Sequence, residues 1–361
     1  MDSARHQAGG ATRRSMLAGA ALLLGTGRAA AQERGQALTG AGSTFVQPVL
    51  NRWARAFATM EGEGGATVSS YGTLNYEPVG SAGGVIRMLQ GSVDFAATDV
   101  PMAPEELARH ELAQFPLVSG GIAVAANLDL PAGIALRLSG DVLARIYLGQ
   151  ITRWSDPAIR ALQPDLALPG APIVVLHRSD GSGTTWNVAS FLARRSAAWQ
   201  SGLGTGWTLP WPVGTGARGT RGIAEALRAT PNAIAYLEVS EARHPGITVA
   251  QIDNAAGRFV APDAAAIAAG VAGLPWDASR SFHQPAAEPA SDAAYPILAT
   301  VYVLMRRNPA SMAGTRAALA FFRMALTERP AEAEALGFVP LAPAVAAQVT
   351  SYWPTAIRGA R

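Results

Sequence analysis

Residues 171–192 read APIVVLHRSDGSGTTWNVASFL. The run Ile173 to Leu176 is apolar and short, as a buried strand should be. Gly181, Ser182, Gly183 and Thr184 then make a loop, and Trp186, Val188, Phe191 and Leu192 recur at the spacing of one helix face. Strand, small-residue loop and helix thus follow within about twenty residues, the pattern of an α/β unit. The same layout occurs twice earlier. In ALTGAGSTFVQPVLNRWARAF (37–57) a strand from Ala37 turns at Gly40 and Gly42. A helix follows, with Phe45, Val46, Val49, Leu50, Trp53 and Phe57 on one side. In YEPVGSAGGVIRMLQGSVDFAATDVPM (76–102), Gly80-Ser81 opens a helix expected to bury Val85, Ile86 and Leu89. A strand from Val93 to Ala97 then ends at Thr98-Asp99-Val100-Pro101.

The rest of the chain continues the alternation. Strands are predicted at 120–127, 233–239 and 295–306, and helices at 103–114, 139–147, 186–195, 220–229, 311–327 and 341–352. One helix near 262–270 is predicted in the otherwise irregular stretch 255–290. The expected fold class is α/β with mainly parallel sheets.

Composition narrows the chemistry. The 361 residues suffice for two domains and are half apolar. Cysteine is absent, which excludes disulfides and thiolate chemistry. Lysine is absent too, so no Walker-type lysine exists. The five histidines (His6, His110, His177, His244, His283) show no ligand-like spacing, and no metal site is expected. At the N-terminus, TRRSML (12–17) puts paired arginines before the apolar run MLAGAALLLGTG, and AAA (29–31) precedes Gln32. Residues 1–31 read as a twin-arginine secretory signal, too short to span a bilayer. Residues 32–361 carry 25 arginines against 25 carboxylates, so neither nucleic acid nor an integral membrane location is indicated.

The three loops admit two readings. A helix N-terminus presents unpaired N–H groups and partial positive charge, which suits an anion. Serine or threonine there also serves as an ordinary N-cap. Arg178 and Asp180 leave an extended segment on the same face. The pair is either an arginine fork held toward an oxyanion or a surface ion pair. Asp99 closes an apolar strand, where α/β proteins place ligands, or is a turn residue before Pro101. A carboxylate suits an anion site only if the ligand brings a proton to donate, as phosphate does near neutral pH and sulfate does not. Ser182 between glycines suggests a nucleophile, but the GxSxG elbow is missing. GTGARG (214–219) fits GxGxxG but follows no clean strand and reads as a loop.

The motifs LTGAGSTF, VGSAGGV, VDFAATDVPM, QFPLVSGGIAVAAN, IYLGQITRWSDPAI, HRSDGSGTT, WPVGTGARGTRGIA and AIAYLEV run in one order along the chain. In that order the chain resembles the periplasmic phosphate-binding proteins of the high-affinity phosphate ABC transporter. The resemblance implies an α/β, two-lobed Venus-flytrap fold with two crossovers between lobes. Residues 32–127 and 297–361 would form one lobe and 128–296 the other. It implies inorganic phosphate held by Thr44, the Phe45 N–H, Ser81, Asp99, Arg178, Ser182, Gly183 and Thr184, with Asp99 accepting the phosphate proton and Asp180 positioning Arg178. It implies a monomeric periplasmic receptor that serves membrane permease subunits, with no cofactor and no catalysis. Another tetrahedral oxyanion, or an exported serine hydrolase using Ser182, are the alternatives.

Overall fold

The computed structural model describes residues 38–59, 74–131, 134–284 and 288–360. The signal expected at 1–31, and Ala37 in the first strand, lie outside them.

Eight strands build the main path of a ten-stranded sheet. In chain order they are β1 (Thr39–Gly42), β2 (Asn75–Glu77), β3 (Phe95–Thr98), β4 (Leu112–Ala126), β5 (Val174–Arg178), β6 (Thr215–Ala217), β7 (Ala233–Glu238) and β8 (Leu298–Arg306). Their order across the sheet is β2-β1-β3-β8-β4-β7-β5-β6, with Thr248–Val249 and Val339–Pro340 also paired to β4. Phe259–Val260, Gln251–Asp253 and Arg137–Leu138 form a separate three-stranded sheet.

The sheet is mixed rather than mainly parallel. β1 runs parallel to β2 and β3, and β5 parallel to β6 and β7. The two long central strands run against their neighbours: β8 against β3 and β4, and β4 against β7. β4 explains why. Its fifteen residues are all buried, so both faces are covered and no alternation is needed. It pairs with β8 along Leu112 to Gly121 and with β7 along Ile122 to Ala126, so one strand serves both halves of the sheet. The register slips at Pro116, which has no N–H to give to the ladder. The divisions expected at 127/128 and 296/297 fall just after β4 and just before β8.

The helix expected at 103–114 is shorter, Pro104–Arg109. Glu111 takes a left-handed φ of 52° and turns the chain into β4. Four other helices frame the site: α1 (Gln47–Phe57), α2 (Ser81–Leu89), α3 (Gly183–Arg195) and α4 (Gly219–Ala229). α1 buries Val49, Leu50, Trp53 and Phe57, as its spacing predicts. α2 departs from expectation. It buries Ser81, Gly84 and Met88, while Ile86 is 54% exposed and Leu89 is also exposed. A Cβ on Gly84 would lie 2.5 Å from the Gly42 Cα, so α2 rests on β1 through its small residues.

Aromatic clusters fill both halves. Phe95 packs edge-on to Phe322 at 4.9 Å and Phe115 to Trp353 at 5.3 Å. In the other half Tyr147 lies 5.8 Å from Tyr236. No helix among the described residues is long and apolar enough to cross a membrane.

Candidate functional site

The loops after β1, β3 and β5 converge with the starts of α2, α3 and α4. After β1, the Ser43 N–H donates to the Ala97 carbonyl (2.8 Å), which ties this loop to β3. The Phe45 N–H donates to Ser43 Oγ (3.1 Å), and the Phe45 ring is buried edge-on against Phe338. Burying that ring contributes about 2–3 kcal/mol, an anchor for the loop. Between them, Thr44 Oγ1 accepts from Arg178 Nη2 (3.2 Å) and from the Thr220 N–H (3.2 Å), and lies 2.9 Å from Thr220 Oγ1.

β3 delivers Asp99. Its N–H donates to Ser81 Oγ (3.2 Å), and its carbonyl accepts from Asn187 Nδ2 (2.9 Å). The residue is 3% exposed, and carboxylate Oδ1 has no hydrogen-bond partner. Burial pushes the carboxyl up to about 6, against the pull of the Ser43 hydroxyl, the Arg178 charge and the Ser81 hydroxyl.

β5 delivers Arg178. Asp180 grips it at both ends: Nε donates to Oδ1 (2.7 Å) and Nη2 to Oδ2 (2.5 Å), with both side chains buried. Two parallel charge-assisted bonds fix the guanidinium plane. The Tyr236 hydroxyl accepts the Arg178 N–H (3.2 Å) and meets Thr185 Oγ1 (2.7 Å). Burial works to raise Asp180, but the Arg178 bonds and charge outweigh it and hold the carboxyl below its ordinary value. Of the two readings of this pair, the structure has the buried fork, not a surface ion pair.

At the start of α3 the Ser182 N–H donates to the Trp207 carbonyl (2.9 Å), and Ser182 Oγ accepts from the Thr185 N–H (3.1 Å). Ser182 is therefore the N-cap, and among the described residues no hydrogen bond joins it to a histidine. Gly183 presses on the other half of the site: a Cβ there would lie 2.6 Å from Ser81 Oγ and 2.7 Å from Asp99 Cβ. Thr184 is buried in the next position. The Ala82 N–H donates to the Gly181 carbonyl (3.1 Å), a further tie between α2 and this loop. Thr44, Phe45, Ser81, Asp99, Arg178, Asp180, Ser182, Gly183 and Thr184 thus lie together.

Sequence reasoning missed Thr220. GTGARG is not a loop: Thr215–Ala217 is β6, and Gly219 begins α4. The signal was present, because Gly219-Thr220 follows a short strand and opens a helix as the other three loops do.

With this geometry in place, comparison with known proteins is direct. Residues 26–328 match the PBP superfamily domain. The chain is 34% identical over 324 residues to the phosphate-binding protein PstS of Xylella fastidiosa, covering 90% of this chain and 86% of the relative. It is 34% identical over 348 residues to PstS of Pasteurella multocida, covering 96% and 97%. The chain belongs to this family. Among solved structures, a phosphate-binding protein from Stenotrophomonas maltophilia superposes with a TM-score of 0.68 at 18% identity, covering 90% of this chain and 98% of that one. A high-affinity periplasmic phosphate-binding protein with bound phosphate gives 0.66 at 23% identity, covering 88% and 93%. The fold is therefore that of the two-lobed periplasmic binding proteins, and the family is one of substrate-binding receptors.

Proposed function

We propose that the chain is an exported receptor that binds inorganic phosphate between its lobes and delivers it to the permease of an ABC transporter. Residues 32–127 and 297–361 form one lobe in this reading, and 128–296 the other. The ligand groups are Thr44, the Phe45 N–H, Ser81, Asp99, Arg178, Ser182, Gly183 and Thr184, with Asp180 holding Arg178. The receptor works in the periplasm as a monomer and turns nothing over.

The observation that carries this reading is Asp99. An anion site with one arginine and several hydroxyls would be expected to avoid a buried carboxylate. Asp99 Oδ1 is buried and unpartnered all the same. The contradiction resolves if the ligand brings its own proton. Phosphate can donate that proton to Oδ1 while its ionised oxygens take bonds from Arg178 and the hydroxyls. Fully ionised sulfate has nothing to donate and would set charge against charge. The names of the relatives and the phosphate-bound neighbour support the same ligand.

Isothermal titration of phosphate-free protein tests it. Phosphate should bind at one site per chain with micromolar affinity or better, about −8 kcal/mol or more favourable. Millimolar sulfate should not compete, and a chromogenic phosphoester should survive incubation. No heat with phosphate, equal affinity for sulfate, or ester hydrolysis would each overturn the proposal.

A further inference from the structure

Three hydrogen bonds join Thr44 Oγ1 to the second half of the site, one from Arg178 and two shared with Thr220, at the start of α4. The Gly219 N–H donates to Asp180 Oδ1 (3.0 Å), and the Thr220 N–H donates to Thr44 Oγ1 (3.2 Å). Arg218, the N-cap of α4, makes no side-chain cap bond. The first two N–H groups of this helix are thus satisfied by side chains of the site rather than by a cap. Thr220 is 6% exposed, and its Oγ1 lies 2.9 Å from Thr44 Oγ1.

A hydroxyl has two acceptor lone pairs and one proton. On Thr44 Oγ1, the Thr220 N–H takes one lone pair and Arg178 Nη2 takes the other. The Thr44 proton then points at Thr220 Oγ1. An anion bound beside Arg178 draws Nη2 to itself and frees a lone pair. The Thr220 hydroxyl can now donate into that lone pair, and the Thr44 proton turns to the anion. The chain Thr220 O–H to Thr44 O–H to anion is polarised in one direction, and each bond strengthens the next. With that Nη2 hydrogen given to the anion and the guanidinium still held by Asp180, Thr220 is what holds Thr44 to the opposite lobe.

Resting on the phosphate reading, we infer that Thr220 is a positioning residue: it turns the Thr44 hydroxyl proton toward the bound anion and latches the two lobes around it. It touches Thr44 and need not touch the ligand.

The test is a mutant cycle read by phosphate titration and by stopped-flow tryptophan fluorescence. Thr220→Val should weaken phosphate binding about five- to tenfold, the effect of one lost hydrogen bond. The loss should appear in the dissociation rate, with association nearly unchanged. Thr220→Ser should restore affinity to within about twofold of wild type. In a Thr44→Val background, Thr220→Val should change affinity less than about twofold, because its only route to the ligand is gone. Thr220→Ala takes the place of the valine variant if that protein does not fold. The inference is overturned by an unchanged Thr220→Val protein, by a serine variant as weak as the valine one, or by an equal loss in the Thr44→Val background. Wild-type protein that ignores phosphate sinks the receptor reading and this inference together. Wild-type binding with an additive cycle sinks this inference alone.

Discussion

Asp99 meets two opposed demands with one side chain. Its N–H and carbonyl are tied to Ser81 and Asn187, so the backbone is fixed, while Oδ1 is left without a partner. An unpaired buried oxygen costs stability, of order 1–3 kcal/mol for a polar group. Stored in that form, the cost is recovered only by a ligand that offers a proton. Asp99→Asn keeps a carbonyl oxygen that can accept this proton but removes the charge and adds an amide donor. Sulfate should therefore gain more than phosphate, and the phosphate-to-sulfate selectivity should fall tenfold or more, about 1.4 kcal/mol. Dissociation constants for both ions on both proteins, at one pH and ionic strength, measure the ratio. An unchanged ratio would move the proton acceptor elsewhere. Asp99 was legible as a candidate because it ends an apolar strand. The orphaned oxygen was not, because a missing partner is a property of three-dimensional packing.

At the scale of elements, two glycines make the same close approach with different consequences. Gly84 lets α2 lie on β1: a Cβ would come 2.5 Å from the Gly42 Cα and 2.8 Å from the Ala41 carbonyl oxygen. Those atoms are backbone and cannot step aside. Gly84→Ala should cost roughly 1–3 kcal/mol of stability, seen as a lower melting temperature with or without phosphate. Gly183 instead meets Ser81 and Asp99 across the site. Gly183→Ala should leave the ligand-free melting temperature within about a degree, since opening relieves the clash, and weaken phosphate binding by tenfold or more, roughly 1.4 kcal/mol. Calorimetry paired with titration separates the two, and a Gly183→Ala protein with wild-type affinity would refute the close approach. The same contacts explain what the sequence hides. The strand-loop-helix units could be read because α1 and α3 bury large apolar residues at helical spacing. The buried face of α2 could not, since its contact with β1 runs through Ser81 and Gly84, and Ile86 and Leu89 are exposed. Apolar periodicity finds bulk, not close approach. The end of the helix at Arg109 escaped for a related reason: Leu112 to Phe115 suit a helix locally, and pairing with β8 decides otherwise.

The molecule as a whole is organised around the passage of β4 from one half of the sheet to the other. Where it changes partners, Ile122 lies opposite Glu238, the last residue of β7. Glu238 is buried, and its carboxylate caps the short helix Val239–Ala242 by accepting from the Ser240 N–H (2.9 Å) and the Ser240 hydroxyl. Burial pushes Glu238 up to about 7, although the Ser240 bonds pull the other way. An acid whose pKa is higher folded than unfolded is protonated more readily in the folded chain. Folding then loses stability as pH rises from the unfolded value, ordinarily 4.5, to the folded one near 7. Asp99, raised from 3.8 to about 6, acts with the same sign. Asp180 is lowered instead, so its contribution is present above its ordinary value of 3.8 and fades only below it. Between about pH 4.5 and 7 the raised acids work against His177 and His283, which burial holds below the ordinary 6.5 and which favour the higher pH. Removing the Glu238 carboxyl separates its share from theirs. Glu238→Gln keeps an oxygen for the Ser240 N–H and cannot ionise. It should match wild type near pH 4.5 and melt about 2–4 °C higher at pH 7.5 for each kcal/mol of removed penalty. Scanning calorimetry of the two proteins across this range decides it. If their melting temperatures run parallel with pH, Glu238 titrates alike in the folded and unfolded chain, and burial does not raise it.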